Sequence, residues 1–327
     1  MRSSSALLLC AAAAWAQSWT VQESHTTASL RGLSAVSDRV AWASGTGGTY
    51  LRTVDGGATW TAAQVPGAEK LDFRDVHALD EQTAWLMSAG TGDASKIYRT
   101  SDGGAHWTLQ FVNPDPTGFF DAIAFWDAQR GLAIGDPVGG RFVILETADG
   151  GAHWVKRAGP AALPGEGAFA ASGTCLITTG YRDAWFVTGG ARVFHSANRG
   201  VTWTAAETPI RHDSASAGIF SLALLGPMRG IAVGGDYANP KADEHNIAVT
   251  ADGRTWTEPA SRPAGFRSAV VYVPALHAWL ATGTTGSDVS TDDGQTWKRF
   301  DEAAYNAIAF PFAVGPKGAV AKFTPAR

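Results

Sequence analysis

This chain is poor in the residues from which most catalytic and cofactor sites are built. Its 327 residues hold two cysteines and eight scattered histidines. Haem attachment through Cys-x-x-Cys-His, a dinucleotide fold through Gly-x-Gly-x-x-Gly opening a helix, and a serine-hydrolase elbow through Gly-x-Ser-x-Gly each need a motif that does not occur. No cofactor and no metal site is therefore expected. Charge is also sparse: the formal net value is −4, which disfavours nucleic acid or an anionic membrane as the main partner. Long apolar runs are missing as well. Ala6 to Ala14 is too short to cross a bilayer comfortably, nothing later approaches that length, and no integral membrane span is expected.

That early run reads as an export leader. Arg2 precedes it, and Ala14-Trp15-Ala16 forms an A-x-A cleavage site before Gln17, so residues 1–16 are expected to be removed and the remainder to be periplasmic or extracellular. Cys10 lies behind Leu7-Leu8-Leu9, a poor fit to a lipoprotein signal. With the leader gone Cys175 stands alone in an apolar strand-like run, so no disulfide framework is available and sheets must supply the stability.

What the chain has is repetition. Six stretches read Ser/Thr-x-Asp-x-Gly-x-Thr-Trp or a near variant, at 53–60, 100–107, 147–154, 196–203, 250–256 and 290–297. Their acidic or Asn positions, Asp55, Asp102, Asp149, Asn198, Asp252 and Asp292, are separated by 47, 47, 49, 54 and 40 residues, which implies one supersecondary unit per repeat. Asp-Gly-Gly between β-rich runs is a tight hairpin signal, because Gly accepts φ > 0 and the carboxylate can take nearby backbone N–H groups. The closing tryptophans, Trp60, Trp107, Trp154, Trp203, Trp256 and Trp297, give the neighbouring unit an apolar face. This motif is identified as the Asp-box, or BNR repeat, seen in sialidases, sortilin-type receptors, xyloglucanases and the photosystem II stability/assembly factor family. We read all twelve residues as structural. His106, His153, Asn198 and the shortened fifth copy depart from the pattern, and those hairpins are expected to be held less tightly.

Upstream of each box two further strand signals recur. The leading runs begin at Leu30, Phe73, Phe120, Phe169, Phe220, Phe266 and Tyr305, one more than the boxes. The seventh unit lacks its outer strand, and Ser18-Trp19-Thr20-Val21 resembles the Trp-Thr that opens the other outer strands. The expectation is an all-β single domain over 17–327: a seven-bladed β-propeller with Asp-box hairpins, its last blade closed by the N-terminal strand at 18–24. Blades are expected near 29–65, 71–112, 119–158, 165–207, 218–259, 265–300 and 303–323. Six blades with a tail and a β-sandwich are the alternatives, and a sandwich does not explain the period. The Phe73-Arg74-Asp75-Val76 pattern with the boxes resembles the photosystem II stability/assembly factor-like propellers. Gly135-Asp-Pro137, the run Gly165 to Gly173 and Gly234-Gly-Asp-Tyr237 resemble exported bacterial members often labelled oxidoreductase.

Residues just after each leading aromatic should face the channel mouth. Arg267, Asn306, Arg31 and Arg74 then form a cationic arc across blades six, seven, one and two, suited to a carboxylate or an acidic peptide. Asp121, Asp136, Glu166, Ser221, Asp236 and Tyr237 should face it from blades three to five. One reading is a non-enzymatic module binding a protein or acidic peptide. Another is a mouth acting on a small anionic ligand or glycan, with Tyr237 and Glu166 in sialidase-like roles, although the Arg-Ile-Pro signature is absent. The third is that these charges merely satisfy one another around channel water. No residue is assigned a catalytic role.

Overall fold

The computed structural model describes residues 17–325. The leader read at residues 1–16 lies outside them. Seven antiparallel sheets follow one another round a ring, each of strands consecutive in sequence except the last. In that blade Ala307–Ala309, Phe312–Val314 and Val320–Thr324 are completed by Ser18–Gln22, with Ser18 opposite Thr324 and Gln22 opposite Val320. Trp19 buries its ring against Tyr305 and Phe323 and donates Nε1–H to Ser287 Oγ of blade six at 3.0 Å. Gln22 reaches the other way, its Oε1 accepting Trp60 Nε1–H at 2.9 Å in blade one. One short strand thus bonds to both neighbours of the blade it completes.

Second strands carry the packing between blades. Trp42, Trp85, Trp185 and Trp279 are fully buried at equivalent positions. Trp42 and Trp85 donate Nε1–H to Asp80 and Gly150 carbonyls one blade on. Truncating any of the four to Ala should cost roughly 3–5 kcal/mol.

Each repeated hairpin closes on itself. Thr53 Oγ1 accepts Gly57 N–H at 2.9 Å, and Asp55 takes Thr59 N–H at 2.9 Å and Thr59 Oγ1–H at 2.6 Å. The departing copies keep these bonds, contrary to the expectation of looser hairpins. His106 and His153 place Nδ1 2.7 Å from Asp102 and Asp149, where Thr would put its hydroxyl. Asn198 reverses the polarity, donating Nδ2–H to Thr202 Oγ1 at 2.9 Å. The short fifth copy still gives Asp252 Oδ1 the Thr255 N–H at 2.7 Å. The same blade lacks a fourth strand: it has three, Ala217–Leu225, Arg229–Asp236 and Ile247–Thr250, with a single bridge from Val249 to Thr257 beyond them.

Candidate functional site

Antiparallel pairing places the mouth. In blade one Leu30 opposes Gly45 and Gly45 opposes Thr49, so the inner strand starts where the second-to-third turn lies. The hairpin after Thr53 is at the other end. At the mouth end four inner strands carry a bulge: register skips one residue at Arg31, Arg74, Asp121 and Phe220. Ser268 and Asn306 donate N–H to the carbonyls of Thr282 and Val314, the partners of Ala269 and Ala307, and so hold the same place. A bulged residue is turned out of the ladder, here toward the ring axis.

Blades five and six therefore run one residue out of step with the sequence pattern, in opposite directions: Phe220 rather than Ser221, and Ser268 rather than Arg267, hold the bulge place. Core-facing first positions are identified by backbone bonds to the preceding blade: Leu30, Tyr305, Arg267 and Ile219 donate N–H to Gly315, Gly283, Gly234 and Thr188 carbonyls. A slip of one sends a side chain to the opposite face. Arg267 consequently belongs to no arc. It is fully buried, donating to Asp288 Oδ2, to the Phe266 and Ala264 carbonyls and to Thr285 Oγ1. Ser221 is likewise interior, its Oγ 2.7 Å from Thr174 Oγ1 and accepting Val270 N–H.

Blade four departs furthest. Its inner strand is Leu176–Thr179, and the run Phe169-Ala170-Ala171-Ser172, expected to be that strand, instead crosses the axis as a plug. Arg74 Nη1 of blade two donates to the Ala170 carbonyl at 3.1 Å, Ser172 Oγ to the Ser268 carbonyl of blade six at 2.8 Å, and Thr174 meets Ser221 of blade five. Gly173, at φ +79°, lies so close to Asp75 that a Cβ would stand 2.1 Å from its Oδ1. Small residues make this crossing possible, and it converts an open channel into a blind mouth.

The mouth is a cavity of about 520 Å³. Arg31, Arg74 and Asn306 line one side; Phe169, Phe220, Phe266 and Tyr237 line the other, above a floor of Ala170 and Ala171. Arg74 is spoken for, with Nε 2.5 Å from Asp72 Oδ2. Arg31 makes no hydrogen bond or ion pair among the described residues, and burial, with the Arg74 charge second, holds its guanidinium below the usual range. Asn306 fixes the seam between blades seven and one by donating Nδ2–H to the Leu30 carbonyl at 2.8 Å.

The expected acidic half does not face the arginines as a set. Asp136 is at the mouth, accepting Ala168 N–H at 2.9 Å at the root of the plug, and burial raises its carboxyl above the normal range. Glu166 is bound to Arg192 and Thr188 Oγ1 and lines an adjoining groove of about 520 Å³ instead. Burial pushes the Glu166 carboxyl up, but Arg192, Thr188 and Leu163 N–H outweigh it and the net direction is down. Asp236 is buried and accepts Ala238 N–H at 2.9 Å, shaping the loop that presents the half-exposed Tyr237. Asp121 is wholly buried, neither carboxyl oxygen has a hydrogen-bond partner among the described residues, and desolvation followed by the neighbouring Asp136 drives it well above the normal range.

Sequence reasoning missed Phe169, Phe220, Phe266 and Ser268 as mouth residues. Their signal is three aromatics at the head of successive leading runs, where the residue after each, not the aromatic itself, is expected to face the mouth.

Fold and site define a seven-bladed β-propeller with a plugged, one-ended mouth. No protein-family model matches the chain, and no curated protein matches it by sequence. Among solved structures it is similar to YCF48 bound to D1 peptide, at TM-score 0.66 and 18% identity over 94% of this chain and 96% of that one. It is also similar to YCF48 from Cyanidioschyzon merolae, at TM-score 0.61 and 18% identity over 93% and 98%. The WD40 β-propeller domain of Doa1 follows at TM-score 0.62 and 10% identity over 95% and 97%. At these identities the likeness carries the fold, in keeping with the resemblance of the repeats to photosystem II stability/assembly factor-like propellers. Among the described residues no helix is long and apolar enough to cross a membrane.

Proposed function

We propose that this chain is an exported, non-enzymatic propeller that captures an acidic peptide segment of a partner protein at the arginine-lined mouth. One observation carries the reading: Arg31 projects from its bulge into the cavity wall with no side-chain partner among the described residues, beside an Arg74 already fixed by Asp72 and the plug. A guanidinium held partly out of water and unpaired gains most from an incoming carboxylate, whose two oxygens match its donor fork. The solved YCF48 complex with a D1 peptide supports peptide capture by analogy of fold. Export rests on the leader-like residues 1–16 alone. The glycan-acting reading is less well supported, since Tyr237 and Glu166 line different cavities and Glu166 is engaged by Arg192.

The test is binding of fluorescently labelled acidic and amidated peptides to the chain and to its Arg31→Ala variant. Arg31→Ala should weaken acidic-peptide binding roughly tenfold or more, the effect of a lost charge-assisted bond, and raised salt should weaken the parent's binding. Equal affinity for acidic and amidated peptides would remove the proposal.

A further inference from the structure

Opposite the arginines stands an aromatic shelf that acid capture alone leaves without a use. Phe169 stacks on Phe220 at 3.8 Å and 8°, and Phe220 meets Phe266 edge to face at 4.7 Å. Tyr237 stands edge-on to both Phe169 and Phe220, at 6.3 and 6.1 Å. With Ala171 the three Phe residues form their own apolar cluster, separate from the cores between blades. Register creates it: Phe220 occupies the bulge that other inner strands give to Arg31, Arg74 or Asp121.

Two details make the shelf a binding surface. Tyr237 is 54% exposed, and its hydroxyl makes no hydrogen bond among the described residues, so solvent meets an aromatic face that the fold does not cover. The plug closes the cavity beneath Ala170 and Ala171, so a ligand enters end-on or as a loop tip and reaches both walls at once. Phe220 and Phe266 are covered by their neighbours, so the accessible part of the shelf is Tyr237 with the partly buried Phe169. A lone carboxylate on Arg31 would leave these two in water; an apolar side chain next to it would displace that water while the acid is held.

We infer that the mouth reads an acidic group and an aromatic or large aliphatic side chain together, so that its peptide ligand carries the two side by side. This inference rests on the capture reading above and adds the apolar partner to the acid. The probes are labelled Gly/Ser-rich peptides bearing a central Asp-Phe, Asp-Gly or Asn-Phe pair, measured by fluorescence anisotropy. Asp-Phe should bind at least roughly tenfold tighter than Asp-Gly, the effect of one aromatic contact in a confined site. Tyr237→Ala and Phe169→Ala should shrink that difference, and Tyr237→Phe should preserve it. Because Tyr237 is on an exposed loop, its variants keep the test clear of misfolding at Phe169. Equal binding of Asp-Phe and Asp-Gly, both lost in Arg31→Ala, overturns the shelf and leaves acid capture standing. Asn-Phe as tight as Asp-Phe, or no binding by any probe, overturns the inference together with the capture reading.

Discussion

Arg74 Nη1 donates to the Ala170 carbonyl at 3.1 Å, so a side chain of blade two grips a backbone that left blade four. The bond spans the ring axis and fastens the floor of the mouth to its cationic wall.

Removing that grip should loosen the plug before anything else. A hydrogen bond from a charged donor contributes about 1.5–3 kcal/mol, so in Arg74→Ala the amides of residues 168–174 should exchange at least roughly tenfold faster. Exchange in the outer strands should be unchanged. Hydrogen-exchange mass spectrometry reads the difference directly.

Gly173 has no tolerated substitute. Its φ of +79° and the 2.1 Å approach of a Cβ to Asp75 Oδ1 mean that Gly173→Ala must displace the plug or the carboxyl. A loss of about 2–4 kcal/mol is expected in denaturant unfolding. The same change at Gly165 meets nothing within 4 Å and carries only the strain of its φ of +74°, so it should cost less.

Arg267 and Asp288 should behave as a buried pair rather than as ligand contacts. Both are almost wholly inaccessible. Arg267→Ala leaves the Asp288 carboxylate buried without its partner and should cost about 3–5 kcal/mol. Replacing both by apolar residues of similar size should recover much of the loss in thermal unfolding. Arg31→Ala, by contrast, should change stability by no more than about 0.5 kcal/mol.

Stability should fall as pH rises through the near-neutral range. Burial pushes Asp75 up to about 7, against the bonds it accepts from Ile123 and Val76 N–H; Asp121 moves in the same direction. Unfolded aspartates titrate near about pH 4. Between these values the native state holds protons that the unfolded chain has released, so stability declines from about pH 4 to about pH 7. Arg74, Asp136 and Cys175 are the other ionisable groups around these carboxyls. The hairpin carboxylates of Asp55, Asp102, Asp149 and Asp252, lowered to about 2 by their hydrogen bonds, act oppositely. Their contribution is present above about pH 4 and lost as pH falls toward about 2. Burial holds His77 down at about 4, so its contribution is likewise lost as pH falls below about 6.5. The clean comparison lies above that value: melting temperatures should be higher at about pH 6.5 than at about pH 8, and Asp121→Asn should flatten that difference.

The ring was legible in the sequence because its evidence is periodic. Six hairpins, seven leading runs and an orphan Trp-Thr at residues 19–20 lead to seven blades and to the strand that completes the last, as Ser18–Gln22 on Val320–Thr324 bears out. The mouth was only partly legible because its geometry turns on single-residue register. Arg31, Arg74 and Asn306 emerge where their strand pattern places them, whereas Ile219 and Arg267, not Phe220 and Phe266, take the inward anchor position. Local hydropathy points the other way: Phe220/Ser221 and Phe266/Arg267 each set an apolar residue beside a polar one, as Leu30/Arg31 and Phe73/Arg74 do. The pairs that form, Ile219/Phe220 and Arg267/Ser268, are wholly apolar and wholly polar. The plug was hidden for a different reason: Phe169-Ala170-Ala171-Ser172 has the composition of a strand, and only the close meeting of Gly173 with Asp75 shows that it cannot lie in the ladder.

Sealing the circle with Ser18–Gln22 also sets an order of events. Thr20 and Thr324 hydroxyls meet at 2.7 Å across a sequence separation of 304. During synthesis Ser18–Gln22 has nothing to pair with until Val320–Thr324 has emerged, and contacts so distant in sequence are slow to form. Six blades can assemble as they appear, but the seventh waits, and until it locks, the Val320–Thr324 edge is open to any other strand.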